Sequence, residues 1–320
     1  MRRFAALTIV LAAAGPPAAQ PATAARPAST APAVAAALPA RLTPAGADSV
    51  TQAILKHRAK TETWLKSDPT SYLATVQRVD FGAKTVLTVG STPENDLRIA
   101  ESSVAERHLR VTVVGDSFRV ETLDPRATFR VKDDKRRAAT VGPSSIRVGR
   151  FLLRLSHQRF PAIIVFDPAS PRFAEYKGLR YFPVDLSYRF LLPLSSNPRP
   201  DTVIILSTRG NRRRALRVGW FDFVAGRRRC RLEATRLLEP GVGENDLSVF
   251  FRDATTGRES YPVGRYLDPQ RLPDGRYLLD FNLCYNPTCA ISDHYNCPIP
   301  RRKNVLKVAI RAGEMDAHYH

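Results

Sequence analysis

From about residue 70 onward the chain alternates apolar and polar positions in short runs separated by turn residues. LRVTVV and FRVET flank Gly115-Asp116 as the arms of a tight hairpin. SIRVGRFLLRL, AIIVF, TVIIL, LRVGWFDF, LSVFF, YLLDFN and VLKVAI follow. A two-residue period sends alternate side chains to opposite faces of a pleated strand, so these runs predict strands. One earlier segment has a different period. Between Asp48 and Lys66, Ser49 and Gln52 have capping-box spacing, and Val50, Ala53, Ile54 and Trp64-Leu65 make a loose helical stripe that Asp68-Pro69 ends. The expected fold is mainly β: two sandwich-like or barrel-like units preceded by one short helix. The segment Ser195 to Pro200 reads as a loop within the second unit.

The first residues have another pattern. Met1-Arg2-Arg3 supplies a positive n-region, Phe4 to Ala14 an apolar h-region, and Ala12/Ala14 or Ala18/Ala19 a small-residue cleavage site. This is the layout of a signal peptide over residues 1–19. The apolar run is too short to span a bilayer, and no cysteine nearby offers a lipid attachment point, so no transmembrane anchor is expected after cleavage. Residues 20–47 are almost wholly Ala, Pro, Thr and Arg, too little apolar surface to offset ordering entropy, and predict a disordered linker. The folded units are then expected at 48–158 and 159–320, divided at the SHQRFP segment. The expected location is periplasmic or secreted; a basic tail on a cytosolic protein is the alternative.

Export changes how the charge is read. The net charge is +19, with clusters at Arg212-Arg213-Arg214, Arg227-Arg228-Arg229 and Arg301-Arg302-Lys303. In the cytosol this would point to nucleic acid, but no nucleic-acid motif accompanies it and export removes that partner. An anionic envelope component or another envelope protein is the expected partner. Charge solvated on loops explains the same composition equally well.

Residues 86–155 hold Val89-Gly90-Ser91, Asn95-Asp96-Leu97, Ser102-Ser103-Val104, Arg107-His108, Thr128-Phe129-x-Val131 and Val148-Gly149-Arg150. On these short motifs the segment resembles a degenerate forkhead-associated domain. Phosphothreonine readers of that family carry an Arg, a Ser and an Asn where this chain has Ser91, Ala105 and Arg126. Without the guanidinium fork and the hydroxyl, the charge-assisted bonds to phosphate are lost, so the resemblance implies the sandwich and no phosphothreonine peptide partner. His108 is retained, and in that family it mainly buttresses loops.

A series of motifs runs through residues 162–314: Phe166-Asp167-Pro168, Gly178-Leu179-x-x-Phe182-Pro183, Phe250-x-x-Asp253-x-Thr255-x-Gly257 and Tyr261-x-x-Gly264-Arg265. Asp280-Phe281-Asn282, Tyr285-Asn286-Pro287-x-Cys289-Ala290, Cys297-Pro298-x-Pro300, Asn304 and Ala312-Gly313-Glu314 follow. In number and order these motifs resemble the bacterial domain-of-unknown-function 1684 family. Trp64 and Ser67-x-Pro69-x-x-Tyr72-Leu73 are similar to the family's N-terminal part. Cys284 stands where the family usually has a small residue, and Arg301 replaces a second proline. The resemblance implies no reaction, since none is established for the family.

The residues themselves suggest two uses. On a strand from Arg276 to Asn282, Leu278, Asp280 and Asn282 share a face. With the Arg265 guanidinium, a carboxylate and an amide there form a binding face that includes Tyr285 and Asn286. With Asp280 or Glu314 as base and Arg265 as anion holder, the same set suits a hydrolase of an envelope carbohydrate or ester. A buried polar network pinning the Asn286-to-Pro300 loop is the structural alternative. The first reading is a non-enzymatic binding protein with no cofactor; the second is the hydrolase.

The four cysteines are Cys230, Cys284, Cys289 and Cys297. Cys284, Cys289, His294 and Cys297 could in principle ligate zinc, but their spacing matches no common signature. In an oxidising compartment a Cys289–Cys297 disulfide is the simpler expectation, worth about 2–3 kcal/mol by loop closure.

Overall fold

The computed structural model describes residues 41–318. Helix α1 spans Pro44–Ser67 and begins earlier than Ser49 and Gln52 suggested. Thr43 Oγ1 accepts from the Gly46 amide at 3.2 Å, and Pro44 occupies the first turn, where a missing N–H costs nothing. The signal peptide expected over residues 1–19 lies outside the described residues, as does the expected linker up to residue 40. The linker's last residues, from Pro44, are the first turn of α1. The helix ends where the Asp68 amide bonds the Trp64 carbonyl and Pro69 follows. No helix among the described residues is long and apolar enough to cross a membrane.

The first β unit is a two-sheet sandwich. Its strands are β1 (Thr75–Asp80), β2 (Val86–Gly90), β3 (Leu97–Arg98), β4 (Leu109–Val114), β5 (Ser117–Thr122) and β6 (Phe129–Val131). They continue as β7 (Asp134–Arg136), β8 (Ala138–Val141), β9 (Ser144–Val148), β10 (Phe151–His157) and β11 (Pro161–Phe166). One sheet has the order β1-β11-β10-β9-β6-β7, the other β3-β2-β4-β5-β8. Alternate residues such as Val111, Phe118, Val120, Leu153 and Leu155 fill the space between them. His108 ties two loops together, accepting from the Ala105 amide through Nδ1 and bonding the Thr128 carbonyl through Nε2.

The boundary expected at residue 158 is displaced. SHQRFP forms the end of β10 and the turn into β11, which pairs with both β1 and β10, so the sandwich runs through Phe166. The run AIIVF is buried throughout because its inner face lines the sandwich core while Ile164 and Phe166 pack on its outer side with Ala74 and Phe173.

A short helix α2 (Arg172–Glu175) leads into the C-terminal domain. Its strands are β12 (Arg189–Leu192), β13 (Ser195–Leu206), β14 (Arg212–Ala225), β15 (Arg228–Leu237), β16 (Val249–Phe251), β17 (Arg265–Leu267), β18 (Gln270–Arg271) and β19 (Tyr277–Asp280). The long strands β13-β14-β15 form one antiparallel sheet, β12-β19-β18 another, and β16-β17 a ribbon. Ser195 to Pro200, expected as a loop, lies in β13, whose pairing with β14 breaks between Ser196 and Asp201. Phe190, Phe221, Phe223, Phe251 and Phe281 are fully buried in the core.

Candidate functional site

Helix α1 crosses the end of the C-terminal domain and buries an arginine there. Ile54, Arg58 and Leu65 lie on its inward face. Arg58 donates to the Phe182 carbonyl (3.0 Å) and the Asn282 carbonyl (3.3 Å), and its guanidinium stacks 4.5 Å from the Tyr181 ring centre. Glu62, one turn on, accepts from the Tyr176 hydroxyl and the Leu179 amide. These bonds close the roof of a cavity of about 240 Å³. Its walls are aromatic and apolar at one end (Trp64, Leu65, Tyr72, Ile291) and polar at the other (Arg58, Asn286, Glu314).

The floor is the C-terminal segment. Tyr181 and Glu314 form a β-bridge, the Phe182 amide bonds the Gly313 carbonyl, and the Glu314 amide bonds the Cys284 carbonyl. The Glu314 side chain accepts from the Asn286 amide at 2.8 Å, and Asn286 Nδ2 donates to the Met315 carbonyl at 2.8 Å. Burial pushes the Glu314 carboxyl up to about 7, opposed by the Asn286 N–H and the Arg265 charge. Burial also lowers the Arg58 pKa and raises that of the Tyr181 phenol. Among the described residues, two buried polar atoms on the cavity lining have no hydrogen-bond partner: Arg58 Nε and Asn286 Oδ1.

Gly313 makes this floor possible. It has φ +79°, and a Cβ there would fall on the Cys284 sulfur and within 2.5 Å of the Cys284 carbonyl oxygen. Gly313→Ala is expected to destabilise the protein by about 2 kcal/mol, read from urea unfolding. A loss under about 0.5 kcal/mol, the range of ordinary surface changes, would contradict this account.

The residues expected to share one face are divided among separate networks. Arg265 is 1% exposed; it pairs with Asp253 at 3.2 Å and donates to the carbonyls of Ile310 (2.7 Å), Ala312 (2.5 Å) and Glu314 (3.3 Å). Strand β19 stops at Asp280, so Asn282 lies in a 3-10 turn instead of on the strand face. The Asp280 carboxylate caps that turn, accepting from the Asn282 amide and Nδ2, and stands 3.3 Å from Arg189. Asn282 spends its remaining groups on the backbone of Asp185. Tyr285 and Asn286 do reach the cavity wall with Glu314, and the Tyr285 hydroxyl donates to Asp268.

The cysteine expectation is corrected. No two cysteines stand at disulfide-bonding distance, and all four are buried. Cys289 and Cys297 are neighbours, with the Cys289 amide donating to Cys297 Sγ at 3.3 Å, in a small cluster with Phe250 and Tyr266. Cys284 lies in the separate main core, where burial pushes its thiol up to about 11. His294 faces Asp293, and its carbonyl accepts from Arg78. The four candidate zinc ligands are therefore not assembled. Among the described residues no group of His, Cys, Asp or Glu has the geometry of a metal site.

Residues 174–315 match the family model described as a protein of unknown function, DUF1684. The chain is similar to an uncharacterized protein of Haloarcula marismortui solved by solution NMR. That match has 35% identity and a TM-score of 0.38, over 46% of this chain and 80% of that one. It also has a likeness to Mycobacterium tuberculosis EmbR in complex with a low affinity phosphopeptide. The identity there is 17% and the TM-score 0.21, over 39% of this chain and 32% of EmbR, so this chain spans about a third of that protein. No curated protein matches.

Proposed function

We propose, for a chain that over residues 174–315 belongs to the DUF1684 family, that it is an exported envelope protein binding a small ligand under helix α1. The observation that carries this reading is the pair of buried, unpartnered atoms on the cavity lining, the Arg58 Nε donor and the Asn286 Oδ1 acceptor. A buried polar atom without a partner costs free energy that a complementary ligand returns. The Trp64, Tyr72 and Ile291 end suits an apolar or aromatic body; Arg58, Asn286 and Glu314 suit a hydrogen-bonding head. The signal-peptide layout of residues 1–19 supports export, and an envelope component is the source of ligand or partner that follows from it.

Native mass spectrometry of the full chain, expressed in a bacterial host and recovered from the periplasm, tests both parts. The expected mass lacks the first residues and carries a small adduct lost on denaturation. Arg58→Gln and Asn286→Ala each shed that adduct while keeping the unfolding midpoint of a folded protein. A bare wild-type chain, or an adduct that survives both substitutions, would sink the binding site. An uncut chain in the cytosol would sink export alone.

The elevated Glu314 pKa favours a second reading, an acid–base enzyme acting on an envelope carbohydrate or ester. In that reading Glu314→Gln keeps the adduct and abolishes turnover. Asp280 caps its own turn, and Arg265, paired with Asp253, acts on Glu314 through its charge.

A further inference from the structure

A second cavity lies where the outer face of the sandwich meets the C-terminal domain. Arg78 on β1 and Arg154 on β10 both stand opposite Ile164 on β11, so the three side chains are aligned across the sheet. Together with Arg213, Phe250, Tyr295 and Asn296 they line a cleft of about 290 Å³. Two of its arginines are engaged. Arg78 bonds Asp80 and the His294 carbonyl, and Arg213 bonds Glu239, Ser207, Gln158 and the Asn296 carbonyl. Arg154 differs. It lies 4.5 Å from the Phe166 ring centre and, among the described residues, its guanidinium has no hydrogen bond or ion pair.

Asn296, 6% exposed, accepts the Arg209 amide through Oδ1, and its buried Nδ2 has no partner among the described residues. The local charge is also unbalanced. Arg78 and Arg209 share Asp80, and Arg213 pairs with Glu239. With Arg154, four guanidinium groups therefore meet two carboxylates at the cleft and its rim, a surplus of two positive charges.

We infer that this cleft is an oxyanion site for a phosphate or phosphomonoester. The Arg154 fork and Asn296 Nδ2 supply the donors. Guanidinium pairs with phosphate through two parallel N–H bonds, and a phosphomonoester's charge of about −1.5 to −2 at neutral pH matches the surplus. Phe250 and Tyr295 leave an aromatic wall for whatever carries the phosphate. None of the cleft residues belongs to the Ser91, Ala105 and Arg126 positions, so the site is independent of phosphothreonine recognition. It is equally independent of Arg58 and Glu314.

Calorimetric titration of the full chain with inorganic phosphate and with phenyl phosphate tests the site at low and moderate salt. Flotation with phosphatidylcholine vesicles, with and without phosphatidic acid, tests the lipid source. Saturable binding is expected to weaken roughly tenfold or more in Arg154→Gln, less in Arg154→Lys, and again in Asn296→Leu. Arg154 faces out of the sandwich core, so its variants keep the wild-type unfolding midpoint. Binding of the soluble monoester assigns a soluble ligand; vesicle binding that needs phosphatidic acid and Arg154 assigns a head group. Absence of saturable binding to every probe overturns the site, as does binding that survives both Arg154→Gln and Asn296→Leu.

Discussion

Arg265→Met is expected to lower the unfolding free energy by about 3–5 kcal/mol, the range for removing one partner of a buried ion pair. The guanidinium is buried against Phe182 and Phe251 and neutralises Asp253, itself fully buried. Removing it leaves the Asp253 carboxylate deep in the protein without its cation. It also takes the donor from three carbonyls of the final segment, those of Ile310, Ala312 and Glu314. Many buried ion pairs can be replaced by apolar pairs at little cost. This one differs because the arginine also holds backbone that no apolar side chain can hold. The double substitution Arg265→Met, Asp253→Leu removes the unpaired charge but also the acceptor of the Ile310 amide and the Thr255 hydroxyl, so it is expected to recover only part of the loss. Urea unfolding of the two variants beside the wild type measures this; full recovery in the double variant would show that the carbonyl contacts contribute nothing.

The same residue shows where sequence reasoning stops. Arg265 reads as a site residue because it is a cation in a run of strand-like apolar positions. A ligand anchor and an internal strut look alike at that level. What separates them is a set of partners some forty-five residues away, at Ile310 and beyond, which no local period reveals. The alternation of YLLDFN predicts a shared strand face for Asp280 and Asn282. The alternation fails where Asp280 bonds the Asn282 amide and turns the chain. Short-range features were more legible. The Gly115-Asp116 hairpin joins β4 to β5 with Gly115 at φ +58°, as a tight turn between two alternating runs requires. Helix α1 was legible in type and end, while its start was hidden because Thr43-Pro44 caps the chain before the capping-box pair.

Arg58 belongs to none of the motifs the sequence offers. A lone arginine on a helix is ordinarily solvated, yet it falls four residues after Ile54 and seven before Leu65, on the stripe that faces the core. A charge on an apolar stripe was the available signal. Glu314 was legible because it follows Gly313 in a polar motif at the end of the last strand-like run. The expected Cys289–Cys297 disulfide rests on the compartment alone. Compartment says whether a bond can form, and geometry separates Cys284 from the Cys289–Cys297 neighbourhood.

Glu314 carries the clearest pH signature in the protein. Its carboxyl is raised from 4.5 to about 7, chiefly by burial, with the Asn286 amide and the Arg265 charge pulling the other way, Glu62 raising it and Arg58 lowering it. A folded pKa above the unfolded value means the folded state holds the proton more tightly. The associated stability is fully present below pH 4.5 and fades as pH rises through 7; above that the buried carboxylate is charged in the fold. The swing is about 3 kcal/mol, at 1.36 kcal/mol for each unit of difference. Glu314→Gln is neutral at every pH and keeps an acceptor for the Asn286 amide. The variant is therefore expected to match the wild type near pH 4.5 and exceed it by about 3 kcal/mol at pH 8. Asp80, Asp96 and Asp167, whose pKa values are lowered by their Arg and Lys partners, titrate in acid and affect both proteins alike. The difference between the two curves from pH 4.5 to 8 thus isolates Glu314. Parallel curves across that window would mean that the carboxyl is solvated in the fold, and the cavity would lose its acid–base group.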